Sequence, residues 1–435
     1  MDFTRSRELQ RRLAEVVPGG GHTYAKAADQ YPELSPGVLS HGKGCHVWDA
    51  DGNEFIEYGM GLRSVGLGHA YPEVVDAVRA SLDAGTNFTR PGMIELECAE
   101  KLLSIIGADM VKFTKDGSSA TSAALKLARA ATGRDMVALC ADNPFFSYDD
   151  WFIATTTMSG GIRDLDLEAA AAFTYNDLDS VHAVFERHPG RIAMVVLEPA
   201  RLVPPVPGFL EGVRQACTDN GAVLLFDEMI TGFRYALHGA QALYGVHPDL
   251  STWGKAVANG FSVSALAGDR ELMRLGSRER EQDNVFLLST THGAETCSLA
   301  AAIATMEVYE REPVIEHMYR QGERLADGFR GASAAHGLSE LVHPVGFAPN
   351  LLFTTQDAER QPSQPLRTLF LQELIRRGVL APSLVVSYSH DDADIEHTIE
   401  AIDGALGVYA KALEDGVERY LVGPPSQPIF GRRWA

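Results

Sequence analysis

The stretch Ser251–Gly268, STWGKAVANGFSVSALAG, carries a single charge, Lys255, among small and apolar residues. An ammonium in such surroundings loses hydration, which lowers its pKa and makes a neutral, nucleophilic amine accessible. That is the requirement of a lysine that condenses with a carbonyl. Taken alone, the stretch also fits a surface lysine snorkelling off a buried strand. Other residues make the chemical reading stronger. The apolar run Ala222–Phe226 ends in Asp227, which places a carboxylate at a strand's carboxyl end. Its plain alternative is a helix cap or an ion pair with Arg234. Lys115-Asp116-Gly117-Ser118-Ser119-Ala120-Thr121 runs directly into the helical pattern SAALKLARA. Backbone N–H groups, hydroxyls and a positive dipole end would together hold a phosphate there, or the run is an ordinary N-cap. Asn143-Pro144-Phe145-Phe146 offers an aromatic to stack on a flat ring, or simply core. Ser289-Thr290-Thr291-His292-Gly293 offers hydroxyls ahead of another helix, as a second phosphate contact or a capping run.

The elements that must position these residues alternate. Val111–Phe113, Met136–Cys140, Ile192–Leu197 and Ala222–Phe226 are short apolar runs. Between them lie helical patterns, including Ser122–Ala131 and Gly212–Asn220. Such alternation predicts an α/β fold with a mainly parallel central sheet and helices on both faces. Ligands of such sheets bind at the strands' carboxyl ends. Near the start, MDFTRSRELQRRLAEVV reads as an amphipathic helix, and Pro18-Gly19-Gly20-Gly21 stops it. Asp51-Gly52-Asn53 between two alternating runs signals a hairpin in a small antiparallel sheet. Leu351–Thr354, Leu366–Arg377 and Ile395–Leu413 form a second, smaller α+β region. The expected division is an N-terminal segment over 1–70 that packs with the small domain, a large ligand-binding domain over 71–325, and a C-terminal small domain over 326–435. The proline-rich tail PPSQPIFGRRWA reads as an irregular cover.

Composition narrows the function. The formal net charge is −20 in 435 residues, which argues against nucleic-acid or anionic-membrane partners. No apolar run has the length of a membrane span, and the N-terminus lacks an apolar signal-peptide core, so a cytoplasmic location is expected. The five cysteines are scattered without a CxxC pair, and the 14 histidines show no metal-ligand spacing. Neither a disulfide framework nor a metal is expected.

The order of phosphate cup, aromatic, strand-end aspartate and apolar-flanked lysine resembles the pyridoxal-phosphate enzymes of fold type I. FDEMITGFR followed by PDLSTWGKAVANG is similar to the signature of the class III aminotransferases. With PGGGHTY and DGSSATSAALKLARAATGRD, the likeness runs over nearly the whole chain. The subgroup it most resembles is glutamate-1-semialdehyde 2,1-aminomutase and its aminotransferase relatives. The resemblance implies pyridoxal 5′-phosphate held as an internal aldimine on Lys255, with Asp227 on the pyridine nitrogen. Gly117, Ser118 and Ser119 would hold the phosphate. Phe145 and Met229 would cover the two ring faces, Met229 where the family usually has valine, and Glu198 would lie near the ring hydroxyl. Thr290 or Thr291 would reach the phosphate of a neighbouring subunit, because such sites are shared across a homodimer. The family often has Asn-Ser-Gly-Thr-Glu-Ala at the cup, where this chain has Lys115–Ala120.

The implied reaction moves an amino group from a small-molecule donor to a carbonyl acceptor by way of pyridoxamine phosphate. The alternative is an aminomutase that shifts nitrogen within one molecule. The aminomutase has an arginine after its PGG, and Lys26 stands there in this chain, a point charge instead of a bidentate fork. A reading from another class is a catalytically silent binding protein, which the intact Lys255 and Asp227 oppose. Tyr24 and Lys26 are candidates for the substrate pocket, as are Arg63, His69 and His292.

Overall fold

The computed structural model describes residues 1–141, 145–277 and 285–428. The described residues fall into two compact units, one formed by Met1–Tyr71 with 316–428, the other by Pro72–Ile315. The expected limits at 70/71 and 325/326 compare with these; the second lies inside a helix, Val314–Ala335.

In the first unit, β1 (Leu39–Lys43), β2 (His46–Asp49) and β3 (Glu54–Glu57) form an antiparallel sheet. Val47 faces Phe55 across the hairpin that Asp51-Gly52-Asn53 closes.

The other unit is built on seven strands: β4 (Met110–Thr114), β5 (Met136–Cys140), β6 (Ala170–Phe173), β7 (Ile192–Leu197), β8 (Val223–Asp227), β9 (Leu250–Trp253) and β10 (Ser264–Gly268). Their order is β4-β10-β9-β8-β7-β5-β6. Pairing is parallel from β6 through β9, while β10 runs antiparallel to both β9 and β4. β5, β7 and β8 are buried on both faces, which is why they read as apolar runs without alternation. Val223 and Leu225 of β8 pack with Ala120, Ala124 and Leu127 of the helix Gly117–Thr132. Leu224 and Phe226 pack on the opposite face with Val181 and Val184 of Leu178–Arg187 and with Val213 and Ala216 of Phe209–Asn220.

The later part of the first unit adds β11 (Pro344–Phe347), β12 (Asn350–Phe353), β13 (Val379–Leu380) and β14 (Leu384–Val385). β13 joins β3 in parallel, so the small sheet is mixed, where the sequence suggested an antiparallel one. The last expected helix spans Asp392–Asp415, capped by Asp391 and Asp394. Cys45, His46 and Asp394 come together in this unit. They are hydrogen-bonded among themselves: the Cys45 thiol donates to Asp394 Oδ2 and His46 Nε2 meets Asp394 Oδ1, both at 3.0 Å. Asp394 Oδ2 also accepts from the Asp391 N–H. Asp394 thus serves the helix cap with Asp391 while bonding Cys45 and His46.

Trp253, at the end of β9, has no exposure and sits against Gly239. Gly239 has φ +77°, and a Cβ there would lie 2.6 Å from the indole and 2.7 Å from the Glu228 carboxyl carbon. Gly239→Ala is therefore expected to destabilise the protein by roughly 2–4 kcal/mol, combining left-handed strain with overpacking. Chemical denaturation of the variant beside the wild type measures this, and equal midpoints would contradict it.

Candidate active site

Alternation along β8 puts Asp227 on the same sheet face as Leu225, the face covered by Gly117–Thr132. The carboxylate is buried. Its Oδ1 accepts from the Met229 N–H at 3.1 Å and from Thr252 Oγ1 at 3.0 Å. Thr252 lies on neighbouring β9, directly opposite Asp227. Both bonds fall on Oδ1. Burial raises the Asp227 pKa to about 7; Lys255 works against the rise and Glu198 adds to it. Asp227, Lys255 and Glu198 thus share one electrostatic site.

Lys255 follows Trp253-Gly254 where the chain leaves parallel β9 and turns back into antiparallel β10. It has φ +47°, a left-handed conformation that costs a non-glycine residue about 1–2 kcal/mol. It begins a short turn, Lys255–Ala258, whose other residues are buried. Gly254 and Gly117 are both closed off by Met229: a Cβ would lie 2.6 Å from its sulfur at Gly254 and 3.1 Å at Gly117. The Met229 thioether is thus wedged between the start of the helix and the residue before the lysine.

The helix Gly117–Thr132 begins at N-cap Asp116, whose Oδ1 accepts from the Ser119 N–H at 2.8 Å. The Ser119 hydroxyl also donates to Asp116, at 3.0 Å. Ser119 was expected at the phosphate, yet its N–H and hydroxyl are both turned onto the cap. Gly117 and Ser118 precede Ser119 in the first turn, where backbone N–H groups have no partner within the helix. Ser118 is buried, and its Oγ accepts from the Tyr148 N–H at 3.1 Å.

The segment after β5 is tied to the same helix. Thr121 Oγ1 donates to the Phe146 carbonyl at 2.9 Å, and Trp151 Nε1 donates to Ser122 Oγ at 2.9 Å. Phe146 is buried, whereas Phe145 is 46% exposed, with its ring edge-on to Phe152 at 5.5 Å. An exposed aromatic held this firmly is available to a ligand. Asn143 and Pro144 lie outside the described residues. Glu198 follows β7 and pairs with Arg201 at 3.2 Å, both largely buried. Thr290 and Thr291 are exposed, just ahead of the helix Thr296–Arg311.

Tyr24 and Lys26 belong to the first unit, exposed on one short turn. Arg63, also there, ends a left-handed turn, Met60–Arg63, and its Nε donates to Asn350 Oδ1 at 2.8 Å. His69 pairs with Glu57 at 3.2 Å. His292 is exposed beside Thr291. Sequence alone left Asp116 unassigned, although Asp directly before a helical pattern is an N-cap signal. It also passed over Thr252, for which no local signal exists.

A buried carboxylate at a strand end, a lysine beside it, a helix N-terminus on the same face and an exposed aromatic suit a flat, phosphorylated, cationic ring. The chain belongs to the class-III aminotransferases: the model of that family, Aminotransferase class-III, matches residues 27–406. It is 32% identical over 430 residues to a glutamate-1-semialdehyde 2,1-aminomutase of Syntrophobacter fumaroxidans, covering 93% of this chain and 98% of that one. Among solved structures, the internal aldimine form of Sphingopyxis sp. MTA144 FumI protein superposes with a TM-score of 0.86 at 29% identity, over 95% and 98% of the two chains. A transaminase with pyridoxal phosphate bound gives 0.85 at 25% identity, over 95% and 100%. The protein has the fold type I architecture and is a pyridoxal-phosphate-dependent transaminase.

The raised acid pKa values give a pH prediction. Asp227 and Glu228 are both pushed to about 7 by burial, so the folded apoprotein holds their protons longer than the unfolded chain. The contribution of these two groups to the folding stability of cofactor-stripped protein therefore falls as pH rises from about 4 to about 7, against the opposite contribution of acids such as Glu295 whose pKa is held down. Asp227→Asn is expected to remove roughly half of that slope, Glu228 keeping the rest. Melting temperatures across this range test it; an unchanged slope in the variant would contradict it.

Proposed function

We propose that the chain is an intermolecular aminotransferase, working as a cytoplasmic homodimer on a small-molecule amino donor and a carbonyl acceptor. The observation that carries the reading is the placing of Asp227. A buried carboxylate with one oxygen fixed by Met229 and Thr252 lies on the face where the phosphate-binding helix begins, in the field of Lys255. Bound pyridoxal phosphate supplies an aldehyde that condenses with amines and a ring that takes up electrons.

The protein's residues do the rest. Gly117 and Ser118, with Ser119 completing the turn, bind the phosphate through the helix start. Asp227 holds the proton on the ring nitrogen, which returns its own pKa toward the ordinary carboxylate range. Phe145 and Met229 close over the two ring faces and exclude water. Glu198 lies toward the ring hydroxyl, balanced by Arg201. Lys255 is the catalytic group: it holds the cofactor, yields to the donor amine, and then moves the proton from the substrate carbon as base and acid. Tyr24 and Lys26 contribute to substrate binding. Thr290 or Thr291 reaches the phosphate held by the second subunit. Exposed Phe88, Met93 and Leu96, on and next to the helix Met93–Ile106, supply apolar surface for that dimer. The location rests on two observations: among the described residues no helix is long and apolar enough to cross a membrane, and the five cysteines are free.

Transfer between two molecules is favoured by Lys26, which offers a single-point charge where the aminomutase uses an arginine fork. The second reading, an aminomutase, draws on the 32% identical relatives that bear that name. Rapid mixing of the purified yellow enzyme with single amino donors separates the two. Loss of the visible band with one donor, and its return on adding a carbonyl acceptor, is the expected result. A band that no donor discharges, but that an amino-aldehyde turns over alone, favours the aminomutase. Lys255→Ala is expected to lower turnover by roughly 10²–10⁴-fold or more while the fold persists. Near-wild-type turnover in that variant would sink the assignment.

A further inference from the structure

Lys115 replaces the asparagine that opens the family's phosphate cup, and the structure gives its ammonium three partners from two other segments. Nζ donates to Glu295 Oε1 at 2.7 Å, to Ser298 Oγ at 3.1 Å and to the Ser262 carbonyl at 3.2 Å. In return, Ser262 Oγ donates to the Lys115 carbonyl at 2.6 Å. Lys115 itself sits between the end of β4 and the cap Asp116. Ser262 lies in the connection that runs from Lys255 to β10. Glu295 is the N-cap of Thr296–Arg311, accepting from the Cys297 and Ser298 N–H groups at 2.9 and 3.0 Å. Thr290 and Thr291 directly precede that cap, and the Thr291 carbonyl is held by Asn87 at 3.1 Å.

Three strands of evidence set this apart from an ordinary surface ion pair. The two side chains are only 26% and 19% exposed. Burial would raise the Glu295 pKa, yet hydrogen bonds from Lys115 and Ser298 hold it down to about 2, so the acceptor is charged at any working pH. The bonds also join loops that adjacency in sequence does not join. A charge-assisted bond within one turn would only stiffen that turn.

We propose that Lys115 is a positioning residue that sets the cofactor-binding loops against one another. Its ammonium fixes the connection after Lys255, and the segment carrying Thr290 and Thr291, onto the strand end where the phosphate-binding helix starts. The inference rests on the reading of Gly117–Ser119 and Lys255 as cofactor-binding groups. A family cup with asparagine lacks the reach and the charge to make these contacts. In this chain the cup therefore carries a structural function besides binding phosphate.

The test uses full-length protein with and without cofactor. Lys115→Met keeps the aliphatic stem and removes the charge; Glu295→Gln keeps a capping oxygen and removes the counter-charge. In stripped apoprotein, hydrogen exchange followed by mass spectrometry is expected to quicken roughly ten-fold over residues 255–263 and 286–298 in Lys115→Met, with the rest of the sheet unchanged. Pyridoxal phosphate should leave the reloaded variant roughly ten-fold faster than the wild type. Glu295→Gln should move both readouts the same way by less, and Lys115→Arg should restore both to within roughly three-fold. Unchanged exchange in both segments overturns the proposal. So does faster exchange with wild-type cofactor release, because the contacts then serve folding alone. Failure of the underlying reading looks different: wild-type protein would take up no pyridoxal phosphate, whatever the exchange pattern.

Discussion

The carboxylate of Asp227 is held out of water at the end of a buried strand, and much of the site follows from that. An isolated buried charge is expensive, so the structure surrounds this one with compensation. Thr252 and the Met229 N–H bond one oxygen, and Lys255 supplies an opposing charge nearby. The compensation is incomplete, as the pKa near 7 records. A cationic ring nitrogen brought to the second oxygen would complete it. Its two donors are held by the backbone after β8 and by the neighbouring strand, so they are in place before any ligand is bound.

Sheet topology delivers the partners. Parallel strands β5 to β9 share one carboxyl end, so Glu198, Asp227 and the segment after Cys140 all emerge there. The reversal into β10 then forces a sharp connection after β9, and Lys255 takes its left-handed conformation at that point. A strained lysine persists only where the surroundings fix it, and buried Trp253, Met229 against Gly254, and the link from Ser262 to Lys115 do so. Met229 has a double part: its N–H holds Asp227 while its thioether separates the helix start from the lysine turn.

The architecture was largely legible because buried parallel strands leave an unmistakable apolar trace. Ile192–Leu197 and Met136–Cys140 coincide with their strands, and Ala222–Phe226 is displaced by one residue. β6, β9 and β10 were not singled out. Their residues are small or hydroxylated, as in Ala170–Phe173 and Ser264–Gly268, and only pairing with neighbours makes them strands. β13 has two residues, too few to show a period. At the site, residue types and their order singled out Lys255, Asp227 and the cup, and the structure brings Asp227 into the field of Lys255 on the face where the helix Gly117–Thr132 begins. Sequence could not reveal that Ser119 would turn onto Asp116, or that Lys115 would bridge to Glu295 across the fold. Both depend on side-chain directions at a helix start, which spacing along the chain does not encode.

Lys255 is proposed as the residue to which the cofactor is bound. Borohydride reduction of the purified holoenzyme fixes pyridoxal phosphate to the lysine that holds it, and peptide mass spectrometry then locates the label. One pyridoxyl group per chain is expected, on the peptide containing Lys255, and none in Lys255→Ala. A label on another lysine, such as Lys115 or Lys26, or no label on yellow enzyme, would contradict it.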